Sequence, residues 1–201
     1  MKKIAVLTAL LFAALQIGYA QKVGLVLSGG GAKGAAHIGV IKALEENGIP
    51  IDYITGTSAG AIVGRLYAMG YTPEEMVELM LSEEFSYWQT GTVENEYKYY
   101  FKRPDPTPEF GHFSIDMTDS LQVKASFPPQ SLINPIQMNQ AFMALFSQAT
   151  AKAGWNFDNL FVPFRCVASD IYSKKAIIFK NGDLGDAVRA SMTFPSFFQP
   201  I

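Results

Sequence analysis

The sequence contains little cysteine and little histidine. Its 201 residues include one cysteine, Cys166, and two histidines, His37 and His112. A single cysteine cannot form a disulfide bond within the chain. Cys166 lies in the segment FVPFRCVAS, whose valines and phenylalanines predict a buried strand, and a buried thiol behaves as a small hydrophobic group. We therefore expect Cys166 to be a core residue rather than a nucleophile.

Charged residues are also scarce. They make up 17% of the chain, the formal net charge is −2, and the lysines and arginines form no cluster. A nucleic-acid-binding surface needs such a cluster, so no nucleic-acid partner is expected. Hydrophobic residues make up 49% of the chain, which is enough for one globular core of ordinary size.

No apolar run is long enough to span a membrane. Two lysines precede the apolar residues 4–15, and small residues follow at Gly18 and Ala20. This run of twelve residues, apolar except for Thr8, is too short to cross a hydrocarbon core of about 30 Å, which argues against a membrane anchor. The pattern is typical of a secretory signal peptide over residues 1–20, and we expect cleavage between Ala20 and Gln21.

Short apolar segments alternate with helical patterns in the first part of the mature chain. Lys22–Ser28 and Ile51–Gly56 are typical of short buried strands. Helices are predicted at Ala35–Gly48, Ser58–Gly70 and Thr72–Ser82, the last with Thr72 as its cap and a proline and two glutamates in its first turn. This order predicts an α/β fold with a mainly parallel sheet flanked by helices on both faces.

A segment from about residue 85 to residue 135 interrupts this order. It is rich in aromatic residues and proline, and Tyr97, Tyr99 and Phe101 alternate as one face of a strand would. The alternation predicts a β excursion inserted into the domain. Its aromatic side chains either pack the insertion onto the core, which is the interpretation we favour, or cover an apolar substrate site.

The remaining residues predict two further helices and a pair of strands. Ile133–Gly154 is expected to be a helix with an apolar stripe formed by Met138, Phe142, Leu145 and Phe146. The segments FVPFRCVASDI and KKAIIFKNG predict the strand pair. A last helix begins at Leu184 and breaks at Pro195. A natural C-terminus is usually polar and frayed, whereas the last residues here are aromatic and apolar, so we expect the domain to continue beyond Ile201.

Two glycine motifs follow the first two predicted strands. One has the form G-x-G-x-x-G and consists of Gly29, Gly30, Gly31, Ala32, Lys33 and Gly34. The other has the form G-x-S-x-G and consists of Gly56, Thr57, Ser58, Ala59 and Gly60. The second pattern is typical of a nucleophilic serine on a tight strand-to-helix turn, and the first points backbone N–H groups at an anion or a developing oxyanion. Because the carboxyl ends of parallel strands meet at one edge of a sheet, both loops are expected there.

The glycine-rich loop alone also fits a dinucleotide site. Such a site needs an acidic residue at the end of the next strand to hold the ribose. Asp52 has the right spacing but lies at the start of that strand, which ends in the serine motif instead. A P-loop is excluded because Gly34 is followed by Ala35 rather than by lysine. An oxyanion loop beside a serine nucleophile is therefore favoured over a nucleotide site.

The segment LSGGGAKGAAHIGVIKALEENGIPIDYITGTSAGAIVG (residues 27–64) resembles the patatin-like phospholipases. Later segments, VPFRCVASDI and GDLGDAVRASMTFPSFFQPI, are similar to those of bacterial members, so the resemblance runs through the mature chain. It implies hydrolysis of lipid acyl esters by a Ser/Asp dyad, with no metal and no organic cofactor. It also implies that Ser58 is the nucleophile and that residues 29–34 hold the oxyanion, with Lys33 at the basic position of the loop.

The aspartate of the implied dyad has no counterpart in these residues. The family carries it in a D-G-[GA] motif, and no Asp-Gly dipeptide occurs in the sequence. The resemblance therefore implies a base beyond Ile201, and we expect residues 1–201 alone to be inactive or nearly so. Internal substitutes are weaker candidates, since we expect His37 to be packed or capping, His112 to be solvated and Asp170 to be a turn residue at a strand end.

Export and the resemblance together imply an enzyme of the Gram-negative envelope. It would act on a lipid or ester substrate at a membrane surface, in the periplasm, in the outer membrane or outside the cell. Residues 21–201 are expected to form the acyl hydrolase domain, and some similar bacterial proteins continue into an outer-membrane barrel that anchors them. The alternatives are a non-catalytic exported module that binds lipid or a partner protein, and a nucleotide-binding domain.

Overall fold

The computed structural model describes residues 21–92, 112–116, 122–126, 132–194 and 197–201, and for 112–116 and 122–126 it describes the backbone alone. Four of the predictions lie outside these residues. They are the signal peptide over residues 1–20, the alternation of Tyr97, Tyr99 and Phe101, the surroundings of the His112 side chain, and the helix break at Pro195.

Six strands are present in the described residues. They are β1 (Gly24–Leu27), β2 (Tyr53–Gly56), β3 (His112–Asp116), β4 (Gln122–Ser126), β5 (Phe164–Ser169) and β6 (Ala176–Phe179). Four of them form one sheet in the order β1-β2-β5-β6. The β1–β2 and β2–β5 pairs are parallel and the β5–β6 pair is antiparallel, so the predicted mainly parallel α/β fold is confirmed.

Six α-helices flank this sheet within the described residues. They are α1 (Ala36–Glu46), α2 (Ala59–Ala68), α3 (Pro73–Leu81), α4 (Glu83–Thr90), α5 (Ile136–Lys152) and α6 (Leu184–Met192). The predicted cap of α3 is confirmed, since the Thr72 hydroxyl accepts the N–H of Glu75 while the Glu75 carboxylate accepts the N–H of Thr72. None of the helices in the described residues is long and apolar enough to cross a membrane.

The aromatic segment begins with a helix rather than with a β excursion. Ser82 caps α4 by accepting the N–H of Phe85, and the helix ends at Gly91 with a left-handed φ of 69°. Farther along, β3 and β4 pair with each other as an antiparallel ribbon. The predicted apolar stripe of α5 is confirmed, because Met138, Phe142 and Phe146 are buried and Leu145 is packed against the core.

The helices α2 and α6 pack against one face of the sheet. Gly64 of α2 lies in contact distance of Leu27 and Ile54, and the Cys166 thiol of β5 lies 3.2 Å from the carbonyl of Ala187 in α6. The other face is less covered in the described residues, with Val26 exposed by 77% and Ile178 by 64%. The expectation that β1 is a buried strand is therefore wrong for most of its length, because Leu27 alone of its four residues is buried and Leu25 is only partly buried.

A charged side chain, Arg65 of α2, is enclosed in this core. Its Nη1 donates to the carbonyl of Leu184 at 2.9 Å, while Nε and Nη2 have no partner among the described residues. The rings of Phe142 and Phe146 lie against the guanidinium. Burial lowers the pKa of Arg65 well below its usual value. Nothing in the local sequence pattern indicated this burial.

Candidate active site

The serine motif forms the turn between β2 and α2. Ser58 has φ 53° and ψ −122°, a conformation that residues other than glycine rarely adopt. Backbone hydrogen bonds hold the turn: the Thr57 N–H donates to Leu27 O at 3.1 Å, and the Gly60 N–H donates to Thr57 O at 3.0 Å. A serine held at positive φ between a strand and a helix has the geometry of a nucleophile elbow.

The two outer glycines of the motif are needed because backbones approach closely here. A Cβ built on Gly56 would meet the backbone of Gly60 and Ala61, and a Cβ built on Gly60 would lie 2.6 Å from the carbonyl oxygen of Ser28. No side chain fits at such distances. The start of α2 can therefore sit directly on the ends of β1 and β2, as the G-x-S-x-G spacing predicts.

The glycine-rich loop lies against the serine. A Cβ built on Gly29 would be 3.1 Å from the Cβ of Ser58 and 3.8 Å from its Oγ, and Gly34 packs on Ala59. Residues 31–35 form a single 3₁₀ turn that runs directly into α1. The two motifs thus meet at the carboxyl edge of the sheet, as their positions after neighbouring parallel strands predict.

Three of the described residues that line one cavity with Ser58 have backbone N–H groups without a backbone acceptor. The N–H groups of Gly30, Gly31 and Ala59 have no backbone acceptor among the described residues. Ala59 is also the first residue of α2, where the helix dipole leaves partial positive charge. The Ser58 hydroxyl itself has no hydrogen-bond partner in the part of the chain that the structure describes. This arrangement can stabilise an oxyanion that forms next to Ser58 Oγ.

A cavity of about 620 Å³ opens beside Ser58. Its volume is in the range of small-molecule sites, about 300–1,000 Å³. The described residues that line it are small or apolar apart from Gln89, and none of them is charged: Gly30, Gly31, Ala32, Gly34, Ala35, Ser58, Ala59, Ile62, Met80, Phe85, Trp88, Gln89, Ile133, Met138, Phe142, Met192, Phe194 and Phe198. Six of the residues assigned from the two glycine motifs are among them. Lys33 is exposed and does not line the cavity.

Several cavity residues were not assigned to a site by sequence reasoning. Met138 and Phe142 were expected to be core residues of a helix, which they are, but they also form a wall of the cavity. Phe85 and Trp88 pack on each other at 5.6 Å between ring centroids and line the cavity as well. Trp88 also packs against the core, so the described start of the aromatic segment is compatible with both interpretations, packing onto the core and covering an apolar site.

The candidate substitutes for the base are engaged elsewhere. His37 Nε2 donates to the carbonyl of Ser28 at 2.9 Å, so this nitrogen cannot accept a proton from Ser58. Asp170 accepts the Tyr172 N–H and the Ser173 hydroxyl in a turn after β5, and the Ser173 hydrogen bond lowers its pKa. Both match their predicted structural roles. Asp52, the alternative ribose ligand, accepts the Val23 N–H at 2.7 Å, where β1 and β2 begin.

Cys166 is fully buried, as expected, and burial raises its pKa to about 11. Below that pH the thiol of the folded protein stays protonated, and only the thiolate reacts with alkylating agents. We therefore expect N-ethylmaleimide to modify the folded protein very slowly at pH 8 and the guanidinium-unfolded protein rapidly, as followed by intact mass. Equal rates in the two states would contradict the burial of Cys166.

The described part of the chain contains no group of three His, Cys, Asp or Glu side chains that could hold a metal ion. The described residues of the site offer a serine hydroxyl, backbone N–H groups and an apolar cavity.

Comparison with known proteins relates the chain to one family. A family model described as patatin-like phospholipase matches residues 25–201. Human patatin-like phospholipase domain-containing protein 6 is 30% identical over 181 residues, which are 89% of this chain and 10% of that protein. Lysophospholipase NTE1 of Pyricularia oryzae is 31% identical over 182 residues, 90% of this chain and 10% of that protein. The chain thus spans about a tenth of the length of these two relatives.

A solved structure shares the fold. The crystal structure of VipD from Legionella pneumophila aligns with a TM-score of 0.50 and 15% sequence identity, over 88% of this chain and 43% of that chain. At this identity the likeness concerns the fold alone. Because the family model matches most of the chain, the protein belongs to the patatin-like phospholipase family.

Proposed function

We propose that this protein is a serine-dependent lipid acyl hydrolase of the phospholipase A or esterase type, with Ser58 as its nucleophile. The observation that carries the proposal is the contact between the strained serine turn and the glycine-rich loop, in which a Cβ built on Gly29 would lie only 3.1 Å from the Ser58 Cβ. Ser58 attacks the ester carbonyl, an acyl-serine forms as the alcohol leaves, and water then hydrolyses the acyl-serine to release the fatty acid.

Backbone N–H groups would hold the oxyanion of this reaction. The donors available are those of the glycine-rich loop and of Ala59, which are free among the described residues. One such donor is worth about 2.7–4 kcal/mol of transition-state stabilisation. The partial positive charge at the start of α2 acts in the same direction.

The general base of the proposed Ser/Asp dyad is a carboxylate outside residues 1–201. The support is that the Ser58 hydroxyl has no partner among the described residues and that no Asp-Gly dipeptide occurs in the sequence. A positioned base contributes on the order of 10²–10⁴-fold to the rate. Residues 1–201 alone are therefore expected to show little or no turnover, and activity assays require the complete gene product.

The cavity favours an acyl chain as the group bound next to Ser58. The described residues of its walls offer methionine and aromatic side chains, and none of them carries a charge that could pair with a sugar phosphate or a nucleotide. The test is incubation of the complete gene product with diacyl and monoacyl phosphatidylcholine, followed by mass spectrometry of the released fatty acid. Release that requires Ser58 supports the proposal. An enzyme that hydrolyses neither phospholipids nor simple long-chain esters would contradict it.

Filling the cavity is expected to shorten the preferred acyl chain. Met80 lines the cavity on α3 and is only partly buried, so Met80→Trp adds bulk to the cavity without opening the core. Each methylene that loses its contact costs about 0.8 kcal/mol, and two such losses predict a fall of roughly 10-fold for palmitoyl esters with little change for butyryl esters. The measurement is kcat/KM for p-nitrophenyl esters of both lengths.

Val77→Trp on the same helix is the matched control. Val77 is 44% exposed and does not line the cavity, so the added ring should leave the chain-length preference unchanged. The same shift in both variants would mean that the cavity beside Ser58 does not bind the acyl chain.

Export and envelope location are further parts of the proposal. They rest on the composition of residues 1–20 and are tested by N-terminal sequencing of the protein after secretion, which should start at Gln21. A membrane-anchoring domain after residue 201 is proposed by analogy only. The two relatives described above come from an animal and a fungus, so a Gram-negative source stays a prediction.

The alternative functions have less support. A non-catalytic lipid-binding module would need neither the positive φ of Ser58 nor a glycine at position 29, where the loop backbone lies close to Ser58. A nucleotide site would need an acidic side chain at the edge of the sheet where the glycine-rich loop lies, and Asp52 lies where β1 and β2 begin.

A further inference from the structure

A second serine contacts the turn that carries Ser58. The backbone N–H of Ser58 donates to the hydroxyl of Ser191 at 2.9 Å, across 133 residues of sequence. Ser191 lies in the last turn of α6, and its hydroxyl in turn donates to the carbonyl of Val167 in β5. The side chain is half-buried. One hydroxyl therefore connects the serine turn, the central sheet and α6.

The direction of these bonds fixes the Ser191 hydroxyl. A serine hydroxyl has one proton and two acceptor lone pairs. Its proton is committed to Val167 O, so a lone pair points at the Ser58 N–H. The carbonyl of Val167 belongs to β5, where Val167 lies opposite Ile178 of β6 in the antiparallel pair. The acceptor offered to Ser58 is therefore held in place by the sheet.

This bond decides which N–H groups remain for an oxyanion. With its own N–H bound to Ser191, Ser58 does not offer that group to substrate. The N–H of Ala59, the next residue, has no backbone acceptor among the described residues. It can donate to an oxyanion together with the N–H groups of the glycine-rich loop. The bond also opposes relaxation of Ser58 from its positive φ, a strain that costs on the order of 1–3 kcal/mol.

We propose that Ser191 is a positioning residue for the nucleophile: its hydroxyl holds the Ser58 backbone so that Oγ faces the glycine-rich loop and Ala59 N–H faces the oxyanion. This inference rests on the proposed function of Ser58. Ser191 touches neither substrate nor the reacting atoms, and it acts through the backbone of Ser58. Its neighbour Met192 lines the acyl cavity, so the last turn of α6 serves both the nucleophile and the cavity wall.

The experiment compares Ser191→Ala with Thr150→Val in the complete gene product. Thr150 is a matched control because its hydroxyl, like that of Ser191, accepts one backbone N–H and donates to one backbone carbonyl. The N–H is that of Leu184, the first residue of α6, and the carbonyl is that of Phe146. It does so at the opposite end of α6 from Ser58. Both variants should lower the melting temperature. Only Ser191→Ala should lower kcat, by about 10- to 100-fold for a displaced nucleophile, with KM for a soluble p-nitrophenyl ester unchanged.

Conservative replacement separates a positioning role from a structural one. Ser191→Thr keeps the hydroxyl and should recover most of kcat. If Ser191→Ala does not fold, Ser191→Cys replaces it, since a thiol is a weaker acceptor and should give a kcat below that of Ser191→Thr. A kcat of Ser191→Ala equal to that of Thr150→Val would overturn the role of Ser191.

Labelling by a fluorophosphonate distinguishes failure of this inference from failure of the proposed function. Loss of labelling in Ser58→Ala together with wild-type kcat in Ser191→Ala would remove the role of Ser191 alone. Wild-type labelling of Ser58→Ala would contradict both the nucleophile and its positioning residue. Loss of labelling in Ser58→Ala together with slowed labelling in Ser191→Ala supports both.

Discussion

Replacement of Ser58 by alanine is expected to abolish labelling of the complete gene product by a fluorophosphonate probe and to leave its melting temperature unchanged. Labelling needs the Ser58 hydroxyl as nucleophile. Stability does not, because that hydroxyl has no hydrogen-bond partner among the described residues, and the backbone N–H that bonds to Ser191 is kept in alanine. Loss of function without loss of stability is what this geometry predicts.

Ser28→Ala is the matched control for this experiment. Ser28 follows β1 at the same edge of the sheet. Its backbone carbonyl accepts the His37 ring N–H, a bond that the alanine variant keeps. Labelling of this variant should equal that of the wild type. The nucleophile assignment would be wrong if a folded Ser58→Ala variant were still labelled. A Ser58→Ala variant that no longer folded would contradict the expected unchanged melting temperature.

Replacement of Gly60 by alanine is expected to be nearly as damaging to activity and also to destabilise the fold. The new Cβ would lie 2.6 Å from the carbonyl oxygen of Ser28, a backbone atom that cannot move aside alone. Overpacking of this kind costs about 1–3 kcal/mol of folding free energy. The start of α2 must shift away from β1, and a displacement of about 1 Å at the nucleophile can lower kcat by about 10²-fold.

Gly39→Ala gives the opposite expectation with the same chemical change. Gly39 lies in α1, and no atom lies within 4 Å of a Cβ built on it. Alanine is the better helix former, by about 0.8–1.0 kcal/mol in a helix interior, so this variant should be slightly more stable and fully active. Urea unfolding and kcat of both variants check the pair. Equal stability of the two would mean that the serine turn is not packed against β1 as described.

The features of the fold and site that depend on neighbouring residues in the sequence could be predicted from it. Both glycine motifs lie next to the strands that carry them, so a few residues of pattern were enough to predict the serine turn and the loop beside it. The cap of α3 is equally local, because Thr72 and Glu75 are three residues apart. Burial of Cys166 followed from the apolar residues beside it.

The features of the fold and site that depend on contacts between distant residues could not be predicted from the sequence. Ser191 bonds to a residue 133 positions away, and no periodicity within α6 indicates such a partner. The cavity takes its walls from the glycine-rich loop, α2, α3, α4, α5 and α6 together, so no single segment carries its pattern. The exposure of Val26 also depends on what packs against β1 and not on the apolar composition of the strand. Local composition predicts a residue's preference, whereas tertiary contacts decide its neighbours.

A crystal structure of the complete gene product after reaction with a fluorophosphonate tests the central claim most directly. The account predicts a covalent bond from phosphorus to Ser58 Oγ. It also predicts that the phosphoryl oxygen, in the place of the oxyanion, lies about 2.7–3.1 Å from the backbone nitrogens of the glycine-rich loop and of Ala59. A phosphorus bound to another residue, or a phosphoryl oxygen that points away from these nitrogens, would contradict the account.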